Sequence, residues 1–340
     1  MRVLIGMSGG FDSTYAALKL KEEGTDVEGA VLVMHGYTDV SEAKRSAERL
    51  GIPLHVIDCR TQFSDIVESN FINEYKNGRT PNPCIICNRE VKFKVLLNYA
   101  LSNGFSAIAT GHYAKIAKLG ERYTLVPPRD TAKDQSYMLS RLDQRTLGHL
   151  IFPLENEVKA ELRERVRLEE LPLEDKKDSQ EICFIPEGKY YDYLSLHIGE
   201  GEEGNFIDSD GNILGKHKGI INYTVGQRKG LGISLGKRVF VSRIDAENNT
   251  VTLSDDKKTA SSCTLYDVVY MGMPPVSEET EIEADVKIRY SSRPQRARVR
   301  LYPCGTAEVA FLSDAASVTP GQTAVLYSDG AVLASGFISL

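Results

Sequence analysis

The chain has no apolar run of membrane-spanning length and no charged-then-apolar leader, so a cytoplasmic protein without a membrane span is expected. Cysteine is scarce: Cys59, Cys84, Cys87, Cys183, Cys263 and Cys304 are six among 340 residues. That scarcity excludes a disulfide-stapled scaffold and implies reduced thiols, any that matter doing chemistry or binding metal. Net positive charge is also missing. The formal value of −6 argues, taken alone, against a generic nucleic-acid binder, because neutralising phosphates takes Lys and Arg.

The distribution of charge says something different from its sum. Residues 155 to 210 hold 17 Asp and Glu against 7 Lys and Arg, whereas Gly211 to Phe240 holds 6 Lys and Arg and no acid. Arg289 to Arg300 adds Arg289, Arg293, Arg296, Arg298 and Arg300, again with no acid between them. The acidic total therefore hides two basic surfaces. At this length one ordinary core does not suffice, and two or three domains are expected.

The first part of the chain alternates buried-type strands with helices. Val3-Leu4-Ile5, Val27 to Met34, Leu54 to Asp58 and Ala107 to Thr110 read as strands. Helices read from Ser13 to Gly24, Ser41 to Leu50, Phe63 to Tyr75 and Val91 to Leu101. Such a pattern specifies a parallel sheet covered on both faces, so residues 1–140 are expected to form one doubly wound α/β domain. Residues 141–210 read as a small, mainly helical and acidic domain, with Val158 to Leu171 its clearest helix. From 211 to 340 the period changes to two, over Arg238 to Ile244, Thr250 to Leu253, Glu281 to Tyr290, Arg296 to Leu301, Ala307 to Leu312 and Thr323 to Tyr327. This predicts a compact antiparallel β-barrel.

Three strings carry chemistry. Ser8-Gly9-Gly10-Phe11-Asp12-Ser13 sits between the first strand and the first helix, where glycines and a helix N-terminus cradle phosphate oxygens. It lacks the GK[ST] ending of Walker-type loops, so γ-phosphoryl transfer is not the natural reading. Thr80-Pro81-Asn82-Pro83-Cys84-Ile85-Ile86-Cys87-Asn88 presents two thiols. The prolines suggest a stiff, extended approach, and Cys87 is expected near a helix N-terminus whose dipole favours its thiolate. A structural zinc site would need a second CxxC, which is absent. Lys176-Lys177-Asp178-Ser179-Gln180-Glu181-Ile182-Cys183-Phe184-Ile185 places Cys183 after a polar run that argues for partial exposure. Cys59, Cys263 and Cys304 are expected in the core.

The glycine string resembles the pyrophosphate loop of the ATP pyrophosphatases. Together with Ala109-Thr110-Gly111-His112-Tyr113, Lys133-Asp134-Gln135-Ser136-Tyr137, Tyr223 to Gly232, Lys287-Ile288-Arg289-Tyr290 and Thr319-Pro320-Gly321-Gln322, the strings resemble the tRNA-specific 2-thiouridylase (MnmA) family over nearly the whole chain. The resemblance implies an adenine nucleotide alpha hydrolase-like first domain and adenylation of the 2-carbonyl of a wobble uridine. A cysteine persulfide then supplies the sulfur that makes 2-thiouridine. It implies ATP at Gly6, Met7, Ser8, Gly9, Gly10, Phe11, Asp12, Ser13, Met34 and Gly111, with Mg²⁺ accompanying it. Cys87 would be the nucleophile and Cys183 the persulfide carrier. RNA contacts would come from Asn82, Pro83, His112, Lys133, Asp134, Gln135, Arg289, Tyr290 and Gln322. Implied partners are wobble-uridine tRNAs for Lys, Glu and Gln, and a cysteine desulfurase or sulfur-relay protein. The strand period also puts Arg296, Arg298 and Arg300 on one face, where phosphates would meet them.

Three features depart from the family pattern. Phe11 stands where Val is usual, the segment after Met34 is short, and Cys84 replaces an Asp found in some members. Cys84, Cys87 and Cys183 would supply three thiolates to a [4Fe–4S] cluster, which makes a cluster-dependent RNA thiolase the rival mechanism. Two other readings are a relative thiolating a different RNA position and an RNA-binding protein with a structural metal site.

Overall fold

Val3, Leu4 and Ile5 are fully enclosed, which a strand achieves only when both its faces are covered. The computed structural model describes residues 1–168, 182–185, 190–255, 259–316 and 318–339. Strands β1 (Arg2–Gly6), β2 (Asp26–Val33), β3 (Leu54–Asp58), β4 (Ala107–Thr110) and β7 (Leu150–Ile151) form a parallel sheet in the order β3-β2-β1-β4-β7. A hairpin of β5 (Lys115–Leu119) and β6 (Arg122–Val126) is inserted before the last of them. The α/β reading holds, and the sheet takes its fifth strand from beyond residue 140.

Helix α1 (Phe11–Glu22) follows β1, and α2 (Val40–Leu50) follows β2. α2 shows how local sequence sets an element. Asp39 caps its N-terminus by accepting from the Ser41 N–H, and Gly51 ends it at φ 61°. Ala43, Ser46, Ala47 and Leu50 face inward at helical spacing. α3 is an unbroken helical run of Arg60–Phe63, Ser64–Glu68 and Ser69–Lys76, and α4 one of Pro83–Ile86, Cys87–Lys92 and Phe93–Ser102. The middle turn of each is π-helical. Such turns mark functional sites more often than plain helix does. α5 (Lys159–Leu168) and α6 (Tyr190–Ile198) lie in the acidic stretch. The last three residues of the helix expected to reach Leu171 lie outside the described residues.

The strand-rich end divides in two. β8 (Gly204–Ile207), β9 (Ile213–His217), β10 (Phe240–Asp245) and β11 (Thr250–Ser254) make a four-stranded sheet ordered β10-β11-β8-β9. β12 (Thr259–Tyr270), β13 (Thr280–Lys287), β14 (Gln295–Leu301), β15 (Ala307–Ala316), β16 (Thr323–Ser328) and β17 (Ala331–Ser339) close into an antiparallel barrel. Along β14, Ala297, Val299 and Leu301 point inward and Arg296, Arg298 and Arg300 outward. Two of the three outward arginines are engaged by acids. Arg296 pairs with Glu283 and Asp285, and Arg300 with Glu279, Glu281 and Glu308, acids contributed largely by the neighbouring strands. Cys59 and Cys263 are buried as expected, but Cys304 is exposed in the turn after β14.

The barrel is fastened to the first domain. Met271, Val325, Tyr327 and Val332 belong to the same apolar cluster as Leu4, Leu96, Ile108 and Leu147. Each such side chain contributes about 1.5–3 kcal/mol when fully enclosed. Arg141, 1% exposed, donates to the Asp267 carbonyl at 2.7 Å and to its carboxylate at 2.6 Å, and lies 4.2 Å over the Phe337 ring.

Candidate active site

Gly6 ends β1 and Phe11 begins α1, so Met7 to Gly10 must turn within four residues. Gly9 takes φ +78°, and a Cβ there would stand 2.5 Å from Cβ of Glu42 and 2.7 Å from the Ala43 nitrogen. The Ser13 hydroxyl donates to Gly10 O (3.1 Å) and accepts from the Ser8 N–H (3.2 Å), while Thr14 donates to Gly10 O (2.9 Å). No side chain caps α1, so its leading amides remain available to an anion. Gly111, just past β4, closes on the same turn: a Cβ there would lie 2.7 Å from the Asp12 carbonyl and the Ser13 nitrogen. Asp12 is held by Lys159 (2.7 Å) and by the Tyr113 hydroxyl (3.3 Å). Phe11 is buried and stacks on Tyr15, so its departure from the family pattern is a packing change within the core around α1.

Cys84 and Cys87 stand on α4. Pro83 occupies the first turn of that helix, and Asn82 caps it by accepting from the Cys84 N–H at 3.2 Å. The helix therefore starts earlier than its apolar pattern implies. Cys87 lies one turn inside, not at the N-terminus, and is 6% exposed. Its Sγ donates to the Met34 thioether at 3.7 Å, which joins the end of β2 to the CxxC turn. Cys87 also shares one apolar cluster with Phe184 and Ile185, and Phe184 packs on Phe63 and Phe71 with ring centroids 5.4 and 5.5 Å apart. That packing sets the exposed Cys183 beside the CxxC pair. The remaining string, residues 176–181, lies outside the described residues.

The charge environment differs from expectation. Burial pushes the Cys87 thiol up, against the pull of the Lys92 ammonium and with the push of Cys84 and Cys59. Burial likewise raises the Cys84 thiol, which Lys92 again opposes. Cys183, although the residue is solvent-exposed, is pushed up to about 11 by the desolvation of its sulfur among its neighbours and by the other two thiols. At all three thiols desolvation thus outweighs the Lys92 charge. Lys92, which carries no signature in the sequence, is the cation common to all three thiols. It also lowers His112, already driven down to about 3 by burial. With thiol pKa values raised, thiolate appears only in alkaline solution. Alkylation of Cys87 and Cys183 in the tRNA-free enzyme is accordingly expected to be slow at pH 7 and to climb beyond pH 9. Lys92→Met should slow Cys87 a further 3- to 10-fold, roughly, at fixed pH. Iodoacetamide labelling followed by peptide mass spectrometry reads this, and a rate that levels off below pH 8 would refute it.

Most of the residues implied in RNA contact, Lys133 apart, lie along one strip that begins at Asn82 beside Cys84. Asn82 and Asn88 reach Met138 (3.5 Å to its sulfur and 3.0 Å to its carbonyl) in the short helix Ser136–Leu139. Asp134 accepts from the Ser136 N–H (2.8 Å) at the start of that helix, and Gln135 exchanges hydrogen bonds with Tyr113 next to His112. Tyr137 meets Tyr290 at 6.1 Å between centroids, and Lys287 stands over both rings. Gln322 donates to Thr80 O at 2.7 Å, while Arg289 donates to Val225 O and Thr319. Pro83 is buried beneath the strip.

Among the described residues no group of three or more His, Cys, Asp or Glu side chains is placed to hold a metal ion. Lys159 and Lys92 are the functional candidates that sequence reading misses. A lysine in an acid-rich stretch, and one five residues after a cysteine, stay anonymous until folding supplies the neighbours.

A parallel sheet whose first strand runs through an uncapped glycine loop into a helix, joined to an antiparallel barrel, is the architecture of a nucleotide-loop α/β protein. Consistent with this, the family described as the tRNA methyl transferase HUP domain matches residues 1–187, its PRC-barrel domain 191–255, and the aminomethyltransferase beta-barrel domain 260–338. The chain belongs to the tRNA-specific 2-thiouridylase MnmA family. It is 41% identical to the member from Clostridium beijerinckii, over 99% of this chain and 98% of that one. It is 42% identical to the member from Natranaerobius thermophilus, over 99% and 97%. A solved structure, the predicted subunit of tRNA methyltransferase from Methanocaldococcus jannaschii, is 22% identical over 49% of this chain and 74% of that one, with TM-score 0.34. No helix among the described residues is long and apolar enough to cross a membrane.

Proposed function

We propose that this protein is an ATP-dependent tRNA 2-thiouridylase that adenylates the 2-carbonyl oxygen of a wobble uridine and replaces that oxygen with sulfur carried on Cys183. The observation that carries the reading is the contact between Cys87 and Met34, with Cys84, Cys183 and Lys92 gathered around it.

ATP enters with Mg²⁺ as its counter-ion, so the metal is part of the substrate. Its phosphates meet the turn Gly6 to Ser13 and the open N-terminus of α1, and Gly111 and Met34 flank it. Lys159, buried and paired with Asp12, brings a cation to that turn. The uridine oxygen attacks the α-phosphorus and pyrophosphate leaves. The terminal sulfur of a Cys183 persulfide then adds to C2 and AMP departs. Cys87 attacks Cys183 Sγ, the S–S bond to the transferred sulfur breaks, and the thiocarbonyl remains. A Cys87–Cys183 disulfide is left for an external reductant. His112 stays neutral throughout the physiological range, so it accepts or donates hydrogen bonds to the base without adding charge.

Wobble-uridine tRNAs for Lys, Glu and Gln are the substrates this reading takes, and a cysteine desulfurase or relay protein loads Cys183. Nucleoside mass spectrometry of tRNA from a strain lacking the gene is expected to show loss of wobble 2-thiouridine, restored by the intact gene. Unchanged 2-thiouridine would sink the reading, and loss of a thiolated nucleoside at another position would favour the relative of different site specificity.

A further inference from the structure

Between the short 3₁₀ turn Ile220–Asn222 and β10 runs a segment, residues 223–239, without helix or strand, in the stretch that combines six basic residues with no acid. Tyr223, Val225, Leu231 and Val239 are buried and belong, Val225 apart, to the core of the four-stranded sheet. The base of the loop is closed by hydrogen bonds from Gly226 N–H to Val241 O (2.8 Å) and from Val241 N–H to Gln227 O (2.9 Å). Its tip turns at Gly230 and Gly232, both at positive φ (74° and 71°), conformations that side-chain-bearing residues rarely adopt.

Apolar anchors and a closed base set the charged side chains outward. Arg228, Lys229, Lys237 and Arg238 are exposed. Arg228, Lys237 and Arg238, with Gly230, Gly232 and Ser234, line an open cleft of about 430 Å³ that no carboxylate lines. Lys237 pairs with the exposed Asp255 at 2.6 Å, whereas Arg228, Lys229 and Arg238 have no carboxylate partner among the described residues. The barrel arginines Arg296 and Arg300 are the contrast, since acids surround them. The loop is also continuous with the strip beside the thiols. Thr224 accepts from the Thr80 hydroxyl at 3.2 Å, and Arg289 donates to Val225 O at 3.0 Å.

We propose that the loop 226–239 is a second RNA-binding surface, holding the phosphate backbone of the tRNA beyond the nucleotides that reach the thiols. The cations flank both arms of an open, shallow cleft. That arrangement fits a chain of phosphates better than one enclosed anion, and the shared base keeps loop and uridine site in fixed register. The proposal rests on tRNA being the substrate.

The test titrates full-length enzyme with labelled substrate tRNA by fluorescence anisotropy, from about 50 to about 300 mM salt. A variant carrying Arg228→Gln, Lys229→Gln and Arg238→Gln is expected to bind about tenfold more weakly near 100 mM salt. Its slope of log affinity against log salt should be shallower by about 2 to 3, close to one for every phosphate that is no longer neutralised. All three side chains are exposed, so the melting temperature should match the wild type. A control with Arg296→Gln, Arg298→Gln and Arg300→Gln removes the same charge and should keep the wild-type slope. A short single strand around the target uridine should bind wild type and loop variant alike. An unchanged slope in the loop variant, an equal loss in the control, or an equal loss for the short strand would overturn the proposal. If the wild type bound no tRNA at all, the thiouridylase reading would fall with it, whereas normal wild-type binding alongside an unaltered loop variant refutes this proposal alone.

Discussion

Cys87→Ser and Cys183→Ser are each expected to lower 2-thiouridine formation by about 10³-fold or more, because a hydroxyl neither carries a persulfide nor opens one at neutral pH. The two losses should differ in kind. When the protein is loaded with labelled sulfur by a cysteine desulfurase, Cys183→Ser should bind none on this site. Cys87→Ser should keep the label and fail to release it as product. Gel analysis of the labelled protein separates these outcomes, and full turnover in either variant would contradict the assignment. Cys84→Ser is the informative companion. The sulfur of Cys84 is not part of the proposed sequence, and its side chain neighbours Cys183 electrostatically. Comparable collapse in Cys84→Ser would revive a three-thiol mechanism.

A second large effect is expected at the nucleotide loop. Gly9→Ala places a methyl group 2.5–2.7 Å from the Glu42 and Ala43 backbone and side chain, at φ +78°. The conformational cost of about 1–2 kcal/mol and an overpacking cost of about 1–3 kcal/mol together predict a loss near 3 kcal/mol. ATP affinity should fall by about 10²-fold as the turn moves off α2. Gly111→Ala meets the Asp12 carbonyl and Ser13 nitrogen at 2.7 Å and should behave similarly. Gly10→Ala is the control: φ is −76° and the nearest atom, Ser8 Oγ, is 3.4 Å away, so folding stability should hardly change. Denaturant melts without nucleotide, and calorimetric titration with ATP, measure both quantities. Equal stability across Gly9→Ala and Gly10→Ala would refute the steric argument.

What is legible in the sequence follows the physics of each element. β1 and β2 announce themselves because strands covered on both faces must be apolar throughout. The barrel strands β13, β14 and β16 show because one face is wet and one dry. β12 hides: of Thr259–Tyr270 only Cys263 and Leu265 are buried, so the period of two is drowned by small polar residues. Pro83 reads along the chain as part of an extended approach, yet proline suits the first turn of a helix as well as a stiff strand, and only the Asn82 cap decides between them. The raised thiols have the same origin, since Cys87 lies deeper than its distance from the prolines suggests. The arginine alternation in β14 is plain from its period, but its acids come chiefly from other strands, and pairing across strands is invisible along the chain.

The helical run bearing Cys84 and Cys87 contains one wide turn, Cys87–Lys92, which fits an extra residue into the spiral. Had those residues wound at the ordinary pitch, everything downstream would be rotated by roughly a quarter turn or more about the axis. Lys92 would then swing away from the sulfurs while Val91 and Phe93, both fully enclosed, were pulled out of their seats. The extra residue therefore sets where Lys92 and the helix beyond it point, without any cysteine being touched.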